Sequence, residues 1–465
     1  MVSLIARPQG QVARMLRGAL VALLALVLAA QPALAQQQSI SFLRDAETEA
    51  LLNDLSRPLI EAAGLSPENV EIVLVNDRSM NAFVAGGQRV YLHSGLLIAA
   101  ENANEVQGVI AHELGHVTGG HAVSHPGMGS AGGISILSLL LGAAAMAAGA
   151  GEAGVAILSA GSRAAIGSFL AYNRIQENAA DQAGATYLRQ SGISGRGSLA
   201  FFRRIQNQEY RLAIPQDEGS YDRTHPLSGE RLAILETQYQ RDPAWEAPTD
   251  PALEARFQRV RAKLIGYVSE PNATLQSYPE SDTSVPARYA RAYAWHKRAF
   301  MDRALAEVNS LLQGAPDDPY FLELQGQIYL ESGRPDDAIE PLRRATANSR
   351  SNPLIASMFG HALIATEDAA NYAEAQRVLR TAVQRDNRNP FAWIQLGTVY
   401  AHEGDESRVA LAMAENFNLQ GQAGAALTSA RAAMAGIPQG TPDWLRAQDI
   451  AMVSEEAMRR ARDND

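Results

Sequence analysis

Apolar positions change their period several times along this chain, and each change marks an element. Between Ser41 and Ala63 they recur at helical spacing and stop at Gly64 and Pro67, which predicts a leading helix with its terminator. Glu71-Ile-Val-Leu-Val75 is a short β-branched run and reads as a strand. Asn81-Ala-Phe-Val84 and Val90-Tyr-Leu-His93 flank Gly86-Gly87 and predict a hairpin. From Glu101 to Thr118, Val106, Ile110 and Leu114 recur every four residues, the pattern of a helix that buries one side. Arg163 to Gly192 is a second amphipathic helical stretch.

Two regions break this rhythm. Gly127 through Gly151 carries no charged residue, and residues 127–157 are almost entirely Gly, Ala, Ser, Leu, Ile and Met. Their length and apolarity allow a membrane span, a mobile lid or membrane-touching hairpin, or a buried helix pair, while the many glycines weaken a stable helix. Past the proline-spaced tract Pro243 to Pro251 and its following helical stretch, Ser269 to Pro286 is rich in Pro, Ser, Glu and Asp and reads as a linker. Then a repeat begins. Pro319-Tyr-Phe-Leu-Glu-Leu-Gln-Gly326 matches Pro353-Leu-Ile-Ala-Ser-Met-Phe-Gly360 at an offset of 34, and Pro390-Phe-Ala-Trp-Ile-Gln-Leu-Gly397 follows after 37. Gly326, Ala338, Gly360, Ala375 and Gly397 are small enough to let paired helices approach closely. That period is the mark of tetratricopeptide repeats, predicting a helical solenoid over about residues 287–459 that forms its own folding unit and a curved protein-binding surface.

The ends and the composition narrow the class. Arg7, Arg14 and Arg17 precede an apolar run from Gly18 to Ala30, and Ala33-Leu34-Ala35 supplies a small-x-small cleavage site, so residues 1–35 read as a secretory signal peptide; the alternative is a retained membrane anchor. The expected division is 1–35 leader, 36–268 first domain, 269–286 linker and 287–465 repeat domain. With a net charge of −10, made more negative by loss of the leader's arginines, nucleic acid is excluded as a partner class and polypeptides are favoured. The chain of 465 residues has no cysteine, so any metal must be held by His, Asp or Glu.

Six of the nine histidines fall between positions 93 and 225. His112 and His116 stand four apart on one predicted helix, which puts both rings on one face, one turn apart. Glu113 lies beside the first, placed to take a proton from a metal-bound water. A catalytic zinc site needs a third protein ligand, and Glu177 in Asn173-Arg-Ile-Gln-Glu-Asn-Ala-Ala-Asp181 is the best source. Asp181, one turn further on, is suited to accept the second ring N–H of a ligating histidine. Ala179, Ala180, Ala183 and Gly184 mark the contact face of that helix.

His112-Glu113-Leu-Gly-His116 followed by Arg174-x-Gln-Glu177-x-x-Ala-Asp181-x-x-Gly184 resembles the gluzincin-type family that includes HtpX, the CAAX prenyl protease and mitochondrial Oma, in its exported, BepA-like branch with C-terminal repeats. The resemblance spans about residues 45–240. It implies an α+β zincin-type metalloprotease domain, mainly helical with a small sheet, followed by an all-α tetratricopeptide-repeat solenoid. It further implies one zinc on His112, His116 and Glu177, with Glu113 as general base. Asn81, Ala82 and Phe83 are similar to the family's substrate-pairing edge strand, and Thr224-His225-Pro226 with Arg231 to its late His-Pro element. His225 then has three open roles: oxyanion donor, reversible fourth zinc ligand, or packing against Pro226. His121 and His125 come after the Gly119-Gly120 break and read as residues at the base of a lid. Function by this resemblance is endoproteolysis of unfolded or misassembled polypeptides in the periplasm, associated with the outer membrane and its assembly machinery through the repeats; residues 127–157 would make any peripheral membrane contact. The rival is an assembly chaperone or adaptor with a largely latent protease site.

Overall fold

The computed structural model describes residues 41–121, 174–212, 225 and 228–464. The leader, His125, the uncharged tract 127–157, Thr224 and Pro226 lie outside these residues. Helix α1 (Ala46–Ala62) starts where Asp45 accepts a hydrogen bond from Thr48 N and ends before Gly64, whose φ of 71° continues into a turn. Three strands follow, β1 (Glu71–Val75), β2 (Ala82–Ala85) and β3 (Arg89–His93). The predicted hairpin is present: β2 pairs antiparallel with β3 across Gly86 and Gly87, both at positive φ. The strand order β1-β3-β2 is not the sequence order, because β1 joins parallel to the far side of β3. β2 is therefore left at one edge, while Phe42 bridges the outer side of β1.

Short helix α2 (Ser94–Ala99) leads into α3 (Ala103–Thr118), whose N-terminus is capped by Asn102. Every residue of α3 from Ala103 to His116 is buried. The expected one-sided helix is thus enclosed all round, since α1, the sheet, α5 (Arg196–Leu212) and α7 (Pro251–Val268) pack on different faces of it. Helical residues 174–190, here α4, lie between α3 and α5 in sequence, and α6 (Gly229–Gln240) follows α5. One core joins them through Leu51, Leu55, Val109, Ile110, Phe201 and Phe257.

The tract 269–286 is not an irregular linker. It contains helix α8 (Pro271–Ser277), started by Pro271 at its first turn, and Lys297 donates to the carbonyls of Tyr267 and Ser269 across it. Beyond it run antiparallel helix pairs α9 (Val285–Lys297) with α10 (Met301–Gly314), α11 (Pro319–Glu331) with α12 (Pro335–Asn348), α13 (Pro353–Ala365) with α14 (Ala369–Arg385), α15 (Pro390–His402) with α16 (Glu406–Leu419), and α17 (Ala423–Gly436) with α18 (Pro442–Asn464). Asp318, Asn352 and Asn389 each cap a helix whose first residue is proline, so the repeat motif is at once a register mark and a helix start. Gly326 packs on Leu342 and Gly360 on Leu379, and Ala338 and Ala375 are fully buried. This is a tetratricopeptide-type solenoid following a mainly helical, zincin-type α+β domain.

The two parts share buried contacts. Glu47 of α1 accepts from Tyr289 Oη of α9 at 2.8 Å, and Arg259 of α7 binds Asp318 at 2.7 Å. Gly266 has no room for a side chain against Ala290 and Tyr293. The repeats therefore do not stand apart from the first domain as the periodicity alone implied. Among the described residues, no helix is long and apolar enough to cross a membrane.

Candidate metal centre

The four-residue spacing on α3 brings His112 Nε2 and His116 Nε2 to 3.2 Å from each other. Glu177 reaches the pair from α4, because two glycines let the helix backbones nearly touch. A Cβ on Gly115 would lie 2.5 Å from Ala180 O, and one on Gly184 would lie 3.0 Å from Ala111 O. Of the small residues expected at this contact, Ala180 and Gly184 are buried, Ala183 is half-buried, and Ala179 faces solvent. Glu177 Oε2 then stands 3.3 Å from His112 Nε2, and Oε1 stands 3.3 Å from His116 Nε2.

His225 completes the group from a different part of the chain. Its Nδ1 lies 3.4 Å from His112 Nε2 and 3.1 Å from Glu177 Oε1. A tetrahedral ion with bonds of about 2.0–2.1 Å holds its ligand atoms roughly 3.3–3.4 Å apart. The separations of 3.2, 3.3, 3.3, 3.4 and 3.1 Å, counted to both oxygens of Glu177, are close to that spacing. All four residues are buried, and their ligand atoms lie within 4.8 Å of one another.

Charge gives a second test of fit. Glu113, Glu177 and Asp181 are buried carboxylates, and Arg231 is the buried guanidinium among them. Buried charge is costly unless compensated, and a divalent cation cancels the two negative charges that Arg231 leaves over. Burial disfavours a charged His112, yet the carboxylates of Asp181 and Glu177 outweigh it and push its pKa up to about 10. Burial likewise opposes ionisation of Glu177, but the histidines around it hold its pKa well below the usual range. These shifts record the same pull on positive charge that a metal would satisfy.

Further charged side chains surround the group. His112 Nδ1 faces Asp181 Oδ1 at 3.0 Å. Ser228 caps α6, and Arg231 in its first turn donates to both Asp181 oxygens at 2.7 and 2.9 Å while lying 3.1 Å from Glu177 Oε2. Arg231 thereby ties the ligand Glu177 to the carboxylate that orients His112. Glu113 is fully enclosed, and neither of its oxygens has a hydrogen-bond partner among the described residues. Its Oε1 is 3.6 Å from His225 Nε2, which also lies 3.3 Å from Ala82 O on edge strand β2. The imidazole of His225 thus sits between the glutamate and the strand. Asn81 and Ala82 are buried beside it, and Phe83 stacks on Tyr91 at 4.8 Å.

His121 is placed differently from expectation. The Gly119-Gly120 break does not carry it away: its Nδ1 lies 2.9 Å from His116 Nδ1.

A model described as peptidase family M48 matches residues 44–238. The chain is 24% identical over 400 residues to the beta-barrel assembly-enhancing protease of Escherichia coli, covering 84% of this chain and 79% of that protein. It is 26% identical over 280 residues to a putative beta-barrel assembly-enhancing protease of Vibrio cholerae, covering 58% of this chain and 56% of that protein. The chain thus spans little more than half the length of this relative. Among solved structures it is similar to YrrB, described as a TPR protein with an unusual peptide-binding site, at 18% identity and a TM-score of 0.31, covering 38% of this chain and 92% of that one. With the four-residue centre inside the matched region, the chain is a metallopeptidase whose residues 44–238 are similar to peptidase family M48.

Proposed function

We propose that this chain is an exported, zinc-dependent endopeptidase, active on unfolded or misassembled polypeptides in outer-membrane protein quality control. The observation that carries the reading is the enclosed Glu113 carboxylate, without a hydrogen-bond partner among the described residues, beside the buried His112, His116, Glu177 and His225 group. The names of the relatives, beta-barrel assembly-enhancing proteases, support the process and with it a periplasmic, outer-membrane-associated location. In the same reading residues 1–35 are a leader, 36–268 the catalytic domain and 287–465 the repeats that recruit substrate or assembly machinery.

A zinc ion bound by these residues supplies Lewis acidity and a water of lowered pKa. With that group bound, Glu113 would serve as general base toward the attacking water and as general acid toward the leaving amine. Asp181 and Arg231 hold His112 and Glu177 in place. An extended substrate adds alongside β2, whose backbone groups recognise any peptide main chain, so selectivity by sequence is low. For that strand to fit, His225 must first leave the space between Ala82 and Glu113.

This last requirement favours the second reading, an assembly chaperone or adaptor whose protease site stays latent until engaged. The test is casein cleavage by the full chain with and without chelator, beside Glu113→Gln. Chelation should abolish cleavage and zinc restore it, while Glu113→Gln keeps zinc and loses at least ~10²-fold in rate. Undiminished cleavage by Glu113→Gln would rule out the mechanism; zinc binding without cleavage by the unaltered chain would establish the latent reading.

A further inference from the structure

We infer that His121 is a positioning residue of the metal centre, the hydrogen-bond acceptor that sets the ring orientation and tautomer of His116. The inference rests on the metal-site reading above and adds to it a residue that the ligand motif does not contain.

His116 directs Nε2 at His112 Nε2 and Glu177 Oε1, so Nε2 is its ligating nitrogen and must keep its lone pair free. The ring proton is then on Nδ1. That nitrogen lies 2.9 Å from His121 Nδ1, and the two rings meet at 72° with centroids 4.9 Å apart. His116 Nδ1–H donates, and a neutral His121 accepts on Nδ1 while carrying its own proton on Nε2. The two α3 ligands are thereby held by different chemistry. His112 Nδ1 pairs with the carboxylate of Asp181 at 3.0 Å, and His116 donates to a neutral imidazole. A metal-bound histidine generally needs such a partner to fix its tautomer.

The end of α3 is built to deliver this ring. Gly119 closes the helix with its N–H on Gly115 O, and Gly120 adopts φ 65°, a left-handed conformation that favours glycine. The chain doubles back so that His121 N donates to His116 O at 3.1 Å. The returning imidazole lies directly over Gly119, where an added Cβ would stand 2.5 Å from His121 Nε2. Both glycines are therefore required for His121 to reach His116: one for the turn and the other for the space.

His121 is only partly buried, which makes it a tolerant position for substitution. Asparagine places an acceptor oxygen near the position of Nδ1, whereas leucine has similar bulk and no acceptor. Zinc affinity of the full chain is measured by competition with a chromophoric chelator, and the visible spectrum of the cobalt(II)-loaded protein reports ligand geometry independently of activity. His121→Leu should weaken zinc binding about 10–100-fold and shift the cobalt bands, while His121→Asn stays within roughly threefold with an unshifted spectrum. Far-ultraviolet circular dichroism of both metal-free variants checks that the fold is kept. Zinc binding by His121→Leu as tight as in the unaltered chain overturns the inference, and so does an equal loss in both variants. Failure of the unaltered chain itself to bind zinc overturns the metal-site reading with it.

Discussion

Glu113 and Glu177 are both enclosed carboxylates, yet their surroundings assign them different work. Glu177 is ringed by His112, His116, His225 and Arg231, all within 3.3 Å. Glu113 has no hydrogen-bond partner among the described residues and meets His225 Nε2 at 3.6 Å. A buried acceptor kept without a partner is rare in folded proteins, and here it marks a group that serves a reactant. Of the three roles left open for His225, the geometry favours ligation, since its Nδ1 lies 3.4 Å from His112 Nε2 and 3.1 Å from Glu177 Oε1 within the four-residue group. Replacing His225 with alanine should therefore raise basal casein cleavage, and the gain should vanish in the Glu113→Gln double variant. A fall of about 10²–10³-fold in rate with zinc retained would instead identify an oxyanion donor. The pairing of His112 with His116 was legible because the helical period alone decides which side chains share a face. The contact between His121 and His116 was not, because a glycine pair permits several chain directions.

Among the elements, the contact between α3 and α4 determines whether the ligand motifs meet. Glycines at 115 and 184 remove the side chains that would hold the two helices apart. Gly115→Ala would drive a methyl group to 2.5 Å from Ala180 O, where backbone must move. Overpacking of this kind costs about 1–3 kcal/mol, and the shift falls on the segment between Glu177 and Asp181. The variant should melt at lower temperature and lose bound zinc together; full zinc content at unchanged stability would show that the helices tolerate a wider spacing. Helix and strand positions followed well from periodicity, as in β1 and the β2–β3 hairpin. The tract 269–286 did not, because Pro and Ser serve helix starts as readily as linkers: Pro271 opens α8, and Ser284 caps α9.

Across the whole molecule, a buried polar junction fastens the catalytic domain to the repeats. Lys263 on α7 is 2.5 Å from Asp45 and 3.4 Å from Glu47, and Glu47 accepts from Tyr289 of the first repeat. Glu71 at the start of β1 meets Arg388 between α14 and α15 at 2.7 Å, and Arg44 meets Asp386 at 2.9 Å. Glu323 of α11 faces the same junction. Burial pushes its pKa up to about 8, with Lys263 pulling it down and Asp45 and Glu47 pushing it up. The unfolded chain releases this proton near the ordinary glutamate value of 4.5, whereas the folded chain keeps it to about 8. Folding stability contributed here is therefore complete below the lower value and declines as pH rises through that window. Glu323→Gln stays neutral and should be more stable at pH 7, on the order of 3 kcal/mol at most, with a flatter dependence on pH. Urea unfolding at pH 5 and pH 8 checks this, and equal slopes for both proteins would contradict it.

What the sequence determined by itself was local in character: the face shared by His112 and His116, the turn between Glu177 and Asp181, the hairpin glycines and the 34-residue repeat all follow from backbone periods of a few ångströms per residue. Only the tertiary structure decided the rest. The parallel joining of β1 to β3, the entry of His225 between Glu113 and β2, the return of His121 to His116 and the junction of Glu47 with Tyr289 each depend on which separated surfaces bury one another. Such choices are set by the sum of many weak packing contacts and by the need to compensate buried charge. No short stretch of sequence contains that sum.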